Sequence, residues 1–400
     1  MTREKEHVVF AADGSTGFSV STPQRPGTPV GPSLPSRDFI CFSHLRWGFV
    51  HQRPQHLMAR FATEFRLFYV EEPVETEDAE PWLAIYDATN GIKLLVPQIP
   101  KGFDAARRDA AQRAVLDRQF AALGIDRPVL WYYNPMAPLF ADRLDATAVV
   151  YDCMDELSGF RGAPPELVDR ERALLDRADV VFTGGHSLYE AKRDRHPNVH
   201  PFPSSVDVAH FAAARTAEPP ADQAALPGPR LGFYGVIDER LDLDLIGAVA
   251  ALRPDWQFVI LGPVVKIDPA TLPQRPNLHY PGMRGYADLP ACLAAWDVAL
   301  MPFALNESTR FISPTKTPEY LAAGRPVVST PITDVVRSYG DTGLVHIART
   351  PDAFVAACER ALAVDRTAPD WLARVDAVLA GMSWDQTWAR MRDLMRVDAG

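Results

Sequence analysis

From Asp38 onward the apolar residues fall into two alternating patterns, short continuous runs and longer stretches that repeat every three or four positions. Phe39–Phe42, Leu67–Val70, Ile92–Val96, Val129–Tyr133, Thr147–Tyr151 and Val180–Thr183 have the length and the β-branched or aromatic content of buried strands. Gln55–Phe65, Ala105–Leu123 and Pro164–Arg177 carry helical periodicity between them. A second series begins at Arg230. Its strands Leu231–Tyr234, Gln257–Leu261, Asn277–Tyr280, Val298–Met301, Val327–Thr330 and Leu344–Ile347 alternate with helices Leu243–Leu252, Leu289–Ala295, Ala353–Ala363 and Trp371–Ala380. Strands apolar throughout and separated by helices predict parallel sheets covered on both faces. The expected class is α/β, with two Rossmann-like doubly wound domains.

The breaks in this pattern set the expected organisation. Residues 1–37, rich in Ser, Thr, Pro and Gly, read as a flexible leader. Residues 38–208 form a first domain, the Ala- and Pro-rich stretch 209–229 a linker, and residues 230–382 a second domain. In the last segment, 383–400, Trp384, Trp388 and Met391 recur at helical spacing, so a C-terminal helix is expected to pack back on the first domain. Four hundred residues exceed one comfortable core, in keeping with two domains. A net charge of −10 argues against nucleic acid and against a broad electrostatic membrane footprint, leaving room only for a local peripheral contact. With no 18-residue apolar run and no secretory-type apolar N-terminus, a cytoplasmic protein is expected. Cys41, Cys153, Cys292 and Cys358 lack any CxxC or Cys/His spacing and read as reduced thiols; Cys153, in YDCMDE, is either filler or a thiol near a site.

The stretch FALNESTRFISPTKTPEYLAAGRPVVST (303–330) carries the most chemistry. A Ser313-Pro314-Thr315-Lys316 turn runs into a short helix and then a β-branched strand, an order that points free backbone N–H groups at an anion. Lys316 adds a flexible ammonium, and Glu319 can accept from sugar hydroxyls. The plain alternative is that Pro318 and Glu319 are ordinary helix-start residues.

This block, with the two doubly wound units around it, resembles the GT-B glycosyltransferases, and among them the retaining enzymes of glycosyltransferase family 4. PNVHPFPSSVD (197–207), LGFYGVIDERLDLDLI (231–246), RPDWQFVILGP (253–263) and NLHYPGMRGYADLPACLAAWDVALMPF (277–303) agree with it in order and spacing. The resemblance implies an interdomain cleft, a nucleoside-diphosphate sugar held by the second domain, transfer with retention and no obligatory metal. UDP-sugars are the first expectation and GDP-mannose the second. The acceptor would be a glycan, a lipid-linked saccharide or a small molecule. Carried over, Lys316 and Arg240 hold the diphosphate and Glu319 the ribose, with Gly235, Ser313, Pro314 and Thr315 lining the donor site. Met283 and Arg284, in the PGMRGY turn, are candidates for the base. The pattern departs twice. Phe311 stands where the first glutamate of E-x7-E belongs, so either Glu307 or a main-chain group of the FISPT turn contacts the donor sugar. The usual Arg/Gly-Lys pair is reduced to Arg240, which otherwise reads as a salt bridge to Asp238, Glu239 or Asp242.

The first domain is expected to bind the acceptor. SHLRWGFVHQRPQH (43–56) offers Trp47 to stack on a sugar, Gly48 for close approach and His51 at a helix start. Asn134 stands in WYYNPMAPL, and Asp155 ends a strand beside Asp152; the D-x-x-D spacing lacks a third ligand, so no metal is expected. A GT-B epimerase and an inactive sugar-binding module are the alternative readings. A dinucleotide oxidoreductase fits poorly, since no G-x-G-x-x-G follows a strand.

Overall fold

The structure, a computed structural model, describes residues 37–137 and 144–395. The expected leader, apart from Arg37, and the last five residues of the tail lie outside the described residues.

The first sheet is built from β1 (Asp38–Phe42), β2 (Arg66–Val70), β3 (Val74–Thr76), β4 (Trp82–Asp87), β5 (Lys93–Pro100), β6 (Val129–Tyr132), β7 (Ala148–Cys153), β8 (Val180–Thr183) and β9 (Val199–Pro201). Their spatial order is β3-β5-β2-β1-β6-β7-β8-β9, parallel throughout, with β4 added antiparallel on β5. The second sheet runs β12-β11-β10-β13-β14-β15, all parallel, from β10 (Arg230–Tyr234), β11 (Gln257–Leu261), β12 (Leu278–Gly282), β13 (Val298–Met301), β14 (Val327–Ser329) and β15 (Val345–Ile347). In each sheet the strand order reverses beside the first strand, at β1/β6 and at β10/β13. That reversal opens a crevice beyond the carboxyl ends of the strands, where open α/β sheets bind ligands.

Local chemistry fixes the helix boundaries. Helix Leu243–Leu252 starts where the Asp242 carboxylate accepts from the Leu245 N–H at 2.8 Å, a cap worth about 1 kcal/mol. Helix Pro351–Leu362 begins two residues ahead of its apolar periodicity, because Thr350 caps it and Pro351 is preset for the first position. Strands β3 and β4 have no counterpart in the sequence pattern. β3 lies within the acidic, Pro-containing run 71–81, and β4 follows it directly.

The tail helix Trp384–Leu394 lies on the first domain. Trp384 and Met391 are buried in the cluster around Phe39, Phe61 and Trp131, Arg60 pairs with Asp385 at 2.6 Å, and Ser205 and Thr387 share a hydrogen bond of 2.6 Å. The Ala/Pro-rich stretch between the domains is folded onto the second one. Phe211 is fully buried in the second core, and the Gln223 amide oxygen accepts from the Trp296 indole at 2.8 Å.

Candidate functional site

The floor of the second-domain half is cut by two glycines at strand ends. Gly235, after β10, has φ 147°; a Cβ there would stand 2.5 Å from Cε of Lys316 and 3.1 Å from its Nζ. Gly262, after β11, has φ 141°, and its Cβ would lie 1.8 Å from the Gly235 carbonyl oxygen. Neither position accepts a side chain, so bare backbone and the Lys316 side chain share the bottom of the crevice.

Lys316 is the first residue of helix Lys316–Ala322, and Glu319, one turn on, is 8% exposed. The Tyr234 hydroxyl at the end of β10 donates to the Glu319 carboxylate. Burial lifts that carboxyl from 4.5 to about 7, against the pull of Lys316 and of the Tyr234 hydrogen bond. The Lys316 ammonium is pushed down by burial and by the Arg240 guanidinium, and drawn back by Glu319, Asp238 and Asp155. Those influences place both cations in one electrostatic neighbourhood. The helix has seven residues, so the charges of Lys316 and Arg240 carry the anion field rather than a long helix dipole.

Arg240 is held by Asp238, which accepts from its Nε at 2.9 Å, its Nη2 at 2.7 Å and its backbone N–H at 3.0 Å. The salt bridge and a place in the crevice are therefore both true of this residue. Burial works against its charge, while the Asp238 hydrogen bonds and the nearby Asp155 and Glu239 carboxylates keep it above the ordinary guanidinium value. Its guanidinium carbon lies 5.7 Å from the ring centroid of Phe160 in the first domain.

Across the crevice Asp155 follows β7. Burial raises its carboxyl from 3.8 to about 6, opposed by Arg240, Arg53 and Lys316. The turn bearing it is braced from below by an ion pair that sequence reasoning missed. Arg53, 1% exposed, donates from Nε and Nη2 to Asp152 at 2.9 and 2.8 Å, and from Nη1 to the Phe202 carbonyl at 2.8 Å. An arginine opening a helix reads as surface, and its partner lies 99 residues away, so no local signal marks it.

The structure corrects several expected contacts. Trp47 is 4% exposed and packs edge-on against Tyr69 at 5.1 Å, so it is core and offers no face to a sugar. Its backbone N–H instead donates to Glu71 at 2.8 Å, fixing the loop. His51 is taken up by packing between the domains, 4.5 Å from the His56 ring and 4.3 Å from Tyr286; burial lowers it to about 4. Arg284 is drawn into an ion pair with Asp222, and its neighbour Met283 is 41% exposed. Glu307 has a side chain 77% exposed, pairs with Arg310 at 3.6 Å, and turns its backbone toward Gly159 of the first domain. Phe311, in the place of the missing glutamate, packs on the first-domain core. Ser313, Pro314 and Thr315 form the turn ahead of Lys316. Gly48 is exposed with open space above it, and the Asn134 amide leans toward Glu72 at 3.4 Å while its carbonyl accepts from Met136. All four cysteines are buried free thiols. Among the described residues no group of three or more His, Cys, Asp or Glu is placed to hold a metal, and no helix is long and apolar enough to cross a membrane.

The domains also touch directly. The Ser187 N–H donates to Asp334 at 2.9 Å, Arg337 pairs with Glu190 at 2.8 Å, and the Arg161 N–H reaches Glu239 at 3.3 Å.

With this geometry in hand, comparisons give the crevice its context. Residues 228–364 match the family described as Glycosyl transferases group 1. A Bacillus subtilis (strain 168) protein named as a teichuronic acid biosynthesis glycosyltransferase, TuaH, is 27% identical over 257 residues, 59% of this chain and 64% of its own length. The chain thus spans less than two thirds of that relative. Among solved structures, sucrose-phosphate synthase from Thermosynechococcus elongatus superposes with a TM-score of 0.66 at 16% identity, over 90% of this chain and 98% of that one. The catalytic domain of Arabidopsis thaliana starch synthase IV, solved with ADP and acarbose, gives 0.63 at 12%, over 90% and 99%. These similarities show a common two-domain fold.

Proposed function

We propose that this chain, whose second domain belongs to the Glycosyl transferases group 1 family within a GT-B fold, moves a hexose from a nucleoside-diphosphate sugar to a hydroxyl acceptor with retention of configuration. The observation that carries the reading is the Lys316 side chain lying against the bare backbone of Gly235, with the Arg240 guanidinium near enough to oppose its charge. Breaking the bond between the sugar's anomeric carbon and the diphosphate leaves the electron pair on a phosphate oxygen. Two fixed cations in a partly desolvated crevice stabilise that charge as it develops, commonly the largest catalytic contribution. Arg240 supplies donors pre-aimed by Asp238, and Lys316 a compact charge.

Glu319, buried and near half-ionised at neutral pH, is suited to accept from ribose hydroxyls. Asp155, on the opposite wall, is suited to accept from an acceptor hydroxyl. The acceptor oxygen then bonds to the anomeric carbon on the face the diphosphate leaves, and its proton passes to the departing phosphate. With Glu307 turned outward, main-chain groups of the 311–315 turn are the contacts left for the donor hexose.

UDP-sugars are the first candidates and GDP-mannose the second. A soluble or peripherally bound enzyme acting on a glycan or lipid-linked saccharide accords with the biosynthetic name of the B. subtilis relative. The test is nucleoside diphosphate release from UDP- and GDP-sugars, with and without saccharide acceptors. Acceptor-dependent release supports transfer. Phe311 favours a second reading, a nucleotide-sugar binding module without turnover. Thermal stabilisation by UDP with no release under any acceptor would establish that one instead.

A further inference from the structure

One crevice cation is not used by the diphosphate reading. Lys266 sits in the loop after β11 with φ 63°, a left-handed backbone that lysine rarely adopts. The loop is docked on the donor loop: the Val265 N–H donates to the Ile237 carbonyl at 3.0 Å, and Ile237 and Val264 form an isolated bridge. This docking aims the exposed Lys266 side chain away from its own domain. Its ammonium stands 5.5 Å from the centroid of Phe160 in the first domain, the same ring that Arg240 approaches. Its charge reaches His44 and Glu72, on the loops that follow β1 and β2. Lys316, by contrast, answers to Arg240, Asp238, Asp155 and Glu319. Arg240 has Asp238 as its counter-ion, whereas Lys266 enters no salt bridge among the described residues. A cation projected by strained backbone into an interdomain crevice, with no carboxylate in contact with it among the described residues, is a place for a ligand's charge.

We propose that Lys266 is a specificity-determining residue that recognises an anionic group, a carboxylate or a phosphate ester, on the acceptor. The proposal rests on the transferase reading above and narrows it. An acceptor hydroxyl must reach the anomeric carbon beside Arg240 and Lys316 while the acceptor body lies against the first-domain wall. A charged substituent on that body then falls beside Phe160 and Lys266. Asn134 and Glu72 flank the same space with hydrogen-bonding capacity for neutral hydroxyls. Lys266 discriminates among acceptors by charge and leaves the donor site alone.

The test compares the wild-type chain with Lys266→Gln and Lys266→Glu, first by thermal shift with UDP and then by titration of three probes at saturating UDP. The probes are methyl glucoside, methyl glucuronoside and glucose 6-phosphate, so the last two separate a carboxylate from a phosphate ester. Expected are unchanged UDP shifts in all three proteins and a wild-type preference of about tenfold or more for one anionic probe over the neutral one. The preference disappears in Lys266→Gln and reverses in Lys266→Glu. Equal binding of all three probes by the wild type, or a preference that survives Lys266→Gln, overturns the proposal. So does a loss of UDP affinity in the variants, which would make Lys266 a diphosphate residue. Failure of UDP to stabilise the wild type would strike the donor reading separately.

Discussion

Replacing Glu319 by Gln should stabilise the ligand-free protein at alkaline pH while weakening its nucleotide site. Glu319 is 8% exposed, and its carboxyl titrates near 7 in the folded chain against 4.5 when unfolded, chiefly through burial. A folded value above the unfolded one means the group's contribution to stability is full below about pH 4.5 and is lost as pH rises through about 7. Moving a carboxyl over that interval costs about 3 kcal/mol of ionisation in the folded state. Gln has the shape of the neutral acid and still accepts from Tyr234, so variant and wild type should be nearly equal at pH 5. At pH 8 the variant escapes the cost of burying a carboxylate, but Lys316 loses the neighbour that most supports its charge. About 2 kcal/mol of net stabilisation should survive, or roughly 4–8 °C in Tm for a domain of this size. Calorimetry at several pH values between 5 and 8, without nucleotide, reads this difference directly. A gap between the two proteins that stays flat over that range would refute the assignment of a strained carboxylate to Glu319. Adding UDP should then stabilise the wild type more than the variant, the outcome that follows from the ribose contact proposed for the carboxylate.

Other consequences are as specific. Arg53→Met strands the fully buried Asp152 carboxylate and should cost about 3–5 kcal/mol in urea unfolding; a cost under about 1 kcal/mol would show that the pair does not brace the Asp155 turn. Trp47→Ala should destabilise by about 3–5 kcal/mol as a core truncation and leave acceptor KM unchanged at permissive temperature. A selective rise in that KM would restore the stacking role. Asp155 accepts from a hydroxyl more strongly as the carboxylate than as the neutral acid, so kcat/KM should fall as pH drops through about 6, and Asp155→Asn should abolish that limb while lowering the rate.

The alternation of apolar runs with helical stretches exposed both sheets, because parallel strands buried on both faces leave little else for their residues to be. Lys316 and Glu319 were legible for a related reason: a turn, a short helix and a buried strand in that order constrain where side chains point. The first domain was harder to read. Trp47, flanked by Arg46 and Gly48, presents the same composition whether it stacks on a ligand or fills a core, and only its contact with Tyr69 decides. His51 looks like an acceptor contact at a helix start until Tyr286, more than two hundred residues on, packs against it. Arg53–Asp152 and Lys266–Phe160 are long-range pairs whose meaning exists only after the sheets form and the domains meet. Charge near a crevice was therefore visible in the sequence, but the side of the crevice it serves was not.

In the proposed function, Lys316 and Arg240 together grip a diphosphate. Titration of UDP and of uridine against the wild type, Lys316→Ala and Arg240→Ala measures it without needing the sugar or the acceptor. The wild type should bind UDP at least about 100-fold tighter than uridine, and each variant should lose most of that ratio while uridine affinity holds. Equal affinity for the two ligands in the wild type, or a ratio untouched by either substitution, would contradict it.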